Sequence, residues 1–270
     1  MSQARSARII AGLTAPAYIW LALSVLLPLS AMLYFSFLTV APIGGREASF
    51  TLAHYQAFFT KEIYWYNAWR SFELAFWVTI ICIGAAYPAA YALSRQVRGR
   101  WREAIFLLVV LPFWSNALVR TFSWTMVLRG EWGLLFSYPA IVIGLVHAYL
   151  PYAILTIYVA LETIEASLTD AARSLGADRF TVFRRITLPL SLPGVFAGAI
   201  LIFVPVTGSF MEPRILGGKD AIMLGPIIEN QFTAVFNWPL GAALSFIMLA
   251  IMLLMLAIAS TFLRRFRWQA

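Results

Sequence analysis

The chain has 270 residues, 61% of them hydrophobic and 12% charged, with a mean hydropathy of +0.81. A soluble domain carries about 25% charged residues, so the composition excludes a soluble enzyme or binding module and predicts an all-α polytopic membrane protein. The net charge of +8 and pI of about 9.9 would fit nucleic acid, but the basic residues sit at the ends of apolar runs, the pattern that orients membrane proteins.

A spanning helix needs roughly 20 mostly apolar residues. Six runs meet that need, at about 12–38, 68–93, 104–128, 138–160, 191–211 and 240–263. The first apolar stretch, Ile9 to Leu38, is too long for a signal-peptide core and has no small-residue cleavage site after it. It is therefore expected to be a retained helix. Turn-rich segments separate the runs: Pro42 to Glu47, Arg95 to Glu103, Arg129 to Gly133, a polar stretch at about 162–190, and a long mixed stretch at 212–239. Pro88, Pro112, Pro151, Pro193, Pro205, Gly198 and Gly208 lie within the runs, where they predict bent or broken helices or simply reflect the frequency of these residues in membrane helices.

The basic residues orient the spans. Arg5 and Arg8, then Arg95, Arg98, Arg100 and Arg102, then Arg173, Arg179, Arg184 and Arg185, and finally Arg264, Arg265 and Arg267 give thirteen on one side. The opposite loops hold five: Arg46, Lys61, Arg129, Arg214 and Lys219. Arg70 and Arg120 fall within spans. This asymmetry predicts cytoplasmic termini and a cytoplasmic 162–190 segment.

That segment is the most informative stretch. Leu161, Ile164, Leu168, Ala171, Ala172 and Leu175 recur at helical spacing, with Glu162, Glu165 and Asp170 on other faces. Gly176 can end the helix in the left-handed conformation. Asp178 is the expected N-cap of a second short helix that carries Phe180, Val182, Phe183 and Ile186. Leu188-Pro189 marks the return to the bilayer. Two uses fit such a knob of small and apolar residues rimmed by charge. It can fill a groove on a soluble partner, or lie on anionic lipid through its arginines.

Asp170-Ala171-Ala172, with Gly176 four residues after Ala172 and Ile186 to Pro189 beyond, resembles the EAA loop of binding-protein-dependent ABC importer permeases, with Asp in place of the usual Glu. Leu111-Pro112-Phe113-Trp114-Ser115-Asn116, Arg120-Thr121-Phe122-Ser123-Trp124, Leu216-Gly217-Gly218, Gln231-Phe232 and Asn237-Trp238-Pro239 resemble the spermidine/putrescine subfamily. The resemblance runs from Leu13 to Leu263. It implies six transmembrane helices of the type I importer permease kind, forming a single permease domain over 1–270. It also implies a coupling helix that carries Asp170, Ala171, Ala172, Arg173, Leu175 and Gly176 and is seated on an ATPase subunit. The implied partners are two ATPase subunits holding ATP and Mg²⁺, a second homologous permease subunit and a periplasmic substrate-binding protein, all at a bacterial inner membrane. Where polyamine relatives often read Gly-Glu-Phe, this chain reads Gly208-Ser209-Phe210, with Glu212 three residues after Ser209. Polyamines therefore stand beside amino-acid-like or opine-like solutes as expected cargo.

Other chemistries are not expected. Gly217-Gly218-Lys219-Asp220 lacks the first glycine and the hydroxyl of a nucleotide-binding loop, so no cofactor is expected on this chain. His54 and His147 are isolated, with no metal-site spacing, and Cys82 is the single cysteine. No nucleophile elbow is present. Candidates for the solute path are Asn116, Arg120, Trp124, Tyr149, Tyr152, Ser209 and Glu212, each of which also has a plain packing or snorkelling role. Glu73 is expected to pair with Arg70 one turn earlier. A stand-alone carrier or channel would need intramembrane acids, which are scarce, and a purely structural scaffold would leave the interrupted spans unexplained.

Overall fold

In the computed structural model, residues 3–42, 47–130 and 133–267 are described. Residues 43–46 and 131–132 of the predicted turns, including Arg46 and Glu131, lie outside the described set, as do the side chains of Arg5, Arg8, Arg264, Arg265 and Arg267. Among the described residues twelve α-helices follow in order. They are α1 (Gln3–Ser36), α2 (Ala53–Thr60), α3 (Glu62–Arg95), α4 (Arg100–Val110), α5 (Ala117–Arg129), α6 (Tyr138–Glu162), α7 (Ala166–Ser174), α8 (Arg179–Val182), α9 (Leu188–Thr207), α10 (Met211–Leu216), α11 (Leu224–Thr233) and α12 (Trp238–Arg267).

Five helical stretches are long and apolar enough to cross a membrane alone: Leu13–Ser36, Glu62–Arg95, Tyr138–Glu162, Arg179–Thr207 and Trp238–Thr261. The sixth expected span differs. The run at 104–128 is not one helix but α4 and α5 joined at a 99° bend. Pro112 brings no N–H to the α-helical ladder, and the chain tightens into a 3₁₀ turn over Leu111–Trp114 before Ser115 turns extended. Asn116 then restarts the helix, its side chain accepting the Leu118 N–H at 2.8 Å. The Pro112 carbonyl is satisfied by the Ser115 backbone N–H at 3.2 Å and hydroxyl at 2.7 Å, and by the Arg120 guanidinium at 3.3 Å. Pro88, Pro151, Pro193 and Pro205 lie inside uninterrupted helices, so among these positions the expectation of a broken helix holds at Pro112.

The chain forms two compact units. The first comprises Met1–Tyr64 and Ile228–Leu254. Within it His54 Nε2 bonds the Leu38 carbonyl at 2.9 Å and the Tyr55 hydroxyl meets Ser36 Oγ at 2.7 Å, tying α2 to the end of α1. His54 thus has the packing role its isolation predicts.

The second unit comprises Trp65–Ile227 and Met255–Ala270, and its core is built by α3, α6 and α9. Leu74, Val78, Cys82, Ala86 and Ala90 repeat every four residues along α3 and pack with Ile141, Leu145, Ile157 and Leu161 of α6 and Ile202 and Val206 of α9. The α6–α9 contact is the closest. Gly194 and Gly198 stack on one face of α9, where a Cβ at Gly194 would run into Ala160 Cβ and the Thr156 carbonyl, and one at Gly198 would meet Thr156 Oγ1 at 2.5 Å. Small residues four apart let membrane helices approach to backbone contact, which is the use made of Gly198 here.

Candidate functional site

Two regions of the second unit carry the candidate residues. At one end, α6 stops at Glu162 and α7 begins at Ala166, so the predicted 161–175 helix is interrupted at 163–165. Arg95 spans the interruption, donating to the carbonyls of Leu161 at 3.0 Å and Ile164 at 3.1 Å. α7 ends as its sequence requires. Gly176 sits at φ +87°, its N–H bonds the Arg173 carbonyl at 2.9 Å, and the Ala177 N–H bonds the Ala172 carbonyl at 3.0 Å. This bond pair closes a helix over a left-handed glycine.

Asp178 then caps α8 by accepting the Thr181 N–H at 3.2 Å. Hydrogen bonding from Thr181, joined by the Phe180 amide, holds the Asp178 carboxyl below its ordinary value. The second helix is not a separate short element as expected. α8 runs through a π turn at Phe183–Thr187 directly into α9, giving one helical stretch over Arg179–Thr207. Pro189 stands directly after this π turn, at the second position of α9. Tyr87 and Tyr91 of α3 place their ring edges on Phe183 at 5.9 and 5.7 Å, and the Tyr87 hydroxyl meets Ser191 Oγ at 2.8 Å, so the π turn is clamped to α3. Leu175 and Phe180 remain 90% and 66% exposed. Asp170, Ala171 and Arg173 are exposed as well, with Ala172 half-buried. The apolar knob is thus present and uncovered.

The second region lies where α9 ends. Gly208 closes α9, Ser209 Oγ donates to Glu212 Oε2 at 2.5 Å, and α10 folds back onto α5 and α6. Leu216 is fully buried there and fills the notch left by Gly144 of α6. Glu212 as a residue is only 9% exposed. Tyr149 lies within electrostatic range of Glu212, Tyr152 and Arg120, and its ring is 5.8 Å from that of Tyr152, which is edge-on to Phe113 at 4.5 Å. Trp124 donates its indole N–H to His147 Nδ1 at 3.1 Å, and His147 in turn feels the Arg120 charge. The fold therefore gathers Arg120, Trp124, Tyr149, Tyr152, Ser209 and Glu212 at one end of the α5–α6–α9–α10 group. The Asn116 side chain is spent on capping α5, one helical turn before Arg120. His147, read from the sequence as isolated, meets Trp124 across two helices, a contact with no local sequence signal. Sequence reading also missed the Arg102 contacts with Glu162 and the Tyr158 hydroxyl, which tie α4 to α6.

Comparison with known proteins decides the family. Residues 83–268 match the model of the binding-protein-dependent transport system inner membrane component. The chain belongs to that family. A relative from Haemophilus influenzae, the spermidine/putrescine transport system permease protein PotB, is 35% identical to this permease over 254 residues, covering 88% of each chain. The PotB of Escherichia coli K12 is 31% identical over 255 residues, covering 88% of this chain and 92% of its own. In a solved bacterial ABC transporter for the acidic polysaccharide alginate, one chain superposes with a TM-score of 0.78 at 14% identity, covering 97% of this chain and 96% of that one. That likeness bears on the fold alone. The permease is thus a multi-pass inner-membrane subunit of a binding-protein-dependent importer, and its relatives are transport subunits rather than enzymes.

Proposed function

We propose that this permease carries a small cationic amine of the polyamine class, and the observation behind that reading is the buried Glu212 carboxylate. A buried carboxylate in water-poor surroundings favours a cation. Here it is hydrogen-bonded by Ser209 and within range of Tyr149, whose ring face suits an ammonium and which adjoins Tyr152. Arg120, the nearby cation, is turned toward the Pro112 carbonyl at 3.3 Å, which lowers its competition for the acid. The spermidine/putrescine relatives support the same cargo. In this reading a periplasmic binding protein delivers solute to the α10 end, and a second homologous permease subunit completes the path. Two ATPase subunits bind ATP and Mg²⁺ and grip α7 through Ala171, Ala172, Leu175 and Gly176. Both termini lie in the cytoplasm, as does the α7–α8 turn.

The test is spermidine uptake by proteoliposomes holding the assembled importer at saturating binding protein. Glu212→Gln should lower uptake at least tenfold without loss of assembly. A second reading, an amino-acid-like or opine-like solute, is favoured by the nearness of Arg120 to Tyr149. It predicts the reverse: uptake indifferent to Glu212→Gln and lost in Arg120→Gln.

A further inference from the structure

At the far end from Glu212, α3, α4, α7 and the start of the Arg179–Thr207 stretch enclose a cavity of about 370 Å³. Four arginines line it: Arg95 and Arg98 from the end of α3 and its turn, Arg102 from α4, and Arg173 from α7. Ser94, Thr169 and Thr187 add hydroxyls, and no carboxylate is among the lining residues. Arg95 and Arg102 are held in place, the first by the carbonyls of Leu161 and Ile164 and the second by Glu162 and Tyr158. Glu162 offsets one of the four charges, which leaves a marked positive excess in a confined space. Like charges assemble at such density at a cost, which an anion relieves.

A second depression of about 490 Å³ adjoins the first and shares Arg102 with it. Its other lining residues are Glu103, Phe106, Leu107 and Tyr158. The floor is largely apolar, and Leu107 is exposed on it. Beside the shared arginine, Trp101 is exposed with the Arg100 guanidinium 5.8 Å from its ring, a pairing suited to the headgroup layer. A basic cup that shares an arginine with an apolar groove matches one chemistry: a phosphate on an acyl chain.

We propose that the arginine-lined cavity binds the phosphate of an anionic phospholipid, with an acyl chain laid along Phe106 and Leu107. The site joins the α3–α4 turn to α7 through one headgroup, because Arg98 and Arg173 reach it from different elements. Nothing in this proposal depends on which solute is imported, and its test reads lipid binding rather than transport.

The experiment uses the full-length chain in neutral detergent, with phosphatidylglycerol or phosphatidylcholine added and bound lipid counted by native mass spectrometry. Phosphatidylglycerol should bind at least tenfold more tightly than phosphatidylcholine. The exposed pair Arg98→Gln and Arg173→Gln should weaken phosphatidylglycerol by roughly 30-fold, at about 1 kcal/mol per charge, and leave phosphatidylcholine and the circular-dichroism melting curve unchanged. Arg184→Gln with Arg185→Gln removes two exposed charges outside the cavity and should leave phosphatidylglycerol binding intact. Equal affinity for the two lipids, or equal losses in the two double variants, would overturn the site. If millimolar inorganic phosphate displaced the lipid from the cavity, the ligand would be a free anion and the phospholipid assignment would fall.

Discussion

At the level of single residues, the turn at Gly176 makes the sharpest demands. A φ of +87° is strained for any side-chain-bearing residue by about 1–2 kcal/mol, and proline cannot adopt it at all. Gly176→Pro should therefore unseat the α7–α8 turn and abolish ATP-driven uptake while the protein still inserts in the membrane, as judged by its yield in membrane fractions. Ala172→Asp tests the docking face itself. An unpaired charge buried against a partner costs about 3–5 kcal/mol, so the affinity for ATPase subunits should fall by more than about a hundredfold and co-purification should be lost; undiminished co-purification would remove α7 from the docking surface. The carboxyl of Asp178 is drawn below its ordinary value, so its contribution to the start of α8 is present above the unfolded value near 3.8 and fades only as pH falls through the lower folded one. Uptake should accordingly show no loss traceable to Asp178 between pH 5 and 8, and Asp178→Asn, which keeps the capping acceptor, should behave as the parent where Asp178→Ala does not. These residues were legible in the sequence because caps and left-handed glycines act within four positions of themselves. The neighbours of Glu212 were not, since Tyr149 of α6 comes within its range only once α10 has folded back onto α6.

Among the elements, the long apolar helices could be read from their composition, and the interruption at 111–116 could not be read with the same ease. Its two flanks are together apolar enough for one span, and hydropathy averages over a six-residue break. The local signal was nevertheless present, since a proline followed four residues later by an N-capping asparagine is a stop and a restart in adjacent turns. The reverse error occurred after Asp178. Leu188-Pro189 looks like a boundary, but the π turn before it keeps α8 and α9 continuous. The α6–α9 crossing offers a direct check of packing. Gly194→Ala places a methyl against the Thr156 carbonyl and Ala160. An overpacking cost of about 1–3 kcal/mol should lower the melting temperature by roughly 3–10 °C in scanning fluorimetry. Gly84→Ala on α3, where a Cβ meets nothing within 4 Å, should leave it unchanged or slightly raised.

For the whole molecule, the distribution of arginines predicts an orientation that can be checked from outside the cell. Cysteine placed at position 47 or 220 should react with a membrane-impermeant thiol reagent once the outer membrane is permeable, and cysteine at position 100 should not. Native Cys82 is buried in the core and adds little background. Labelling at position 100 alone would invert the topology and place α7 on the wrong side for an ATPase. The continuous helical stretch from Arg179 to Thr207 has a further consequence for how such a molecule moves. Its 29 residues at about 1.5 Å each make a rod roughly 43 Å long, clamped to α3 near one end by Tyr87 and Tyr91 and finishing one residue before the Gly208–Ser209 turn beside Glu212. Swinging that rod by about 5° about its clamped end carries the other end through roughly 4 Å. A displacement of that size exceeds the length of a hydrogen bond, so a slight tilt at the Gly176 turn is geometrically sufficient to part Glu212 from whatever it holds.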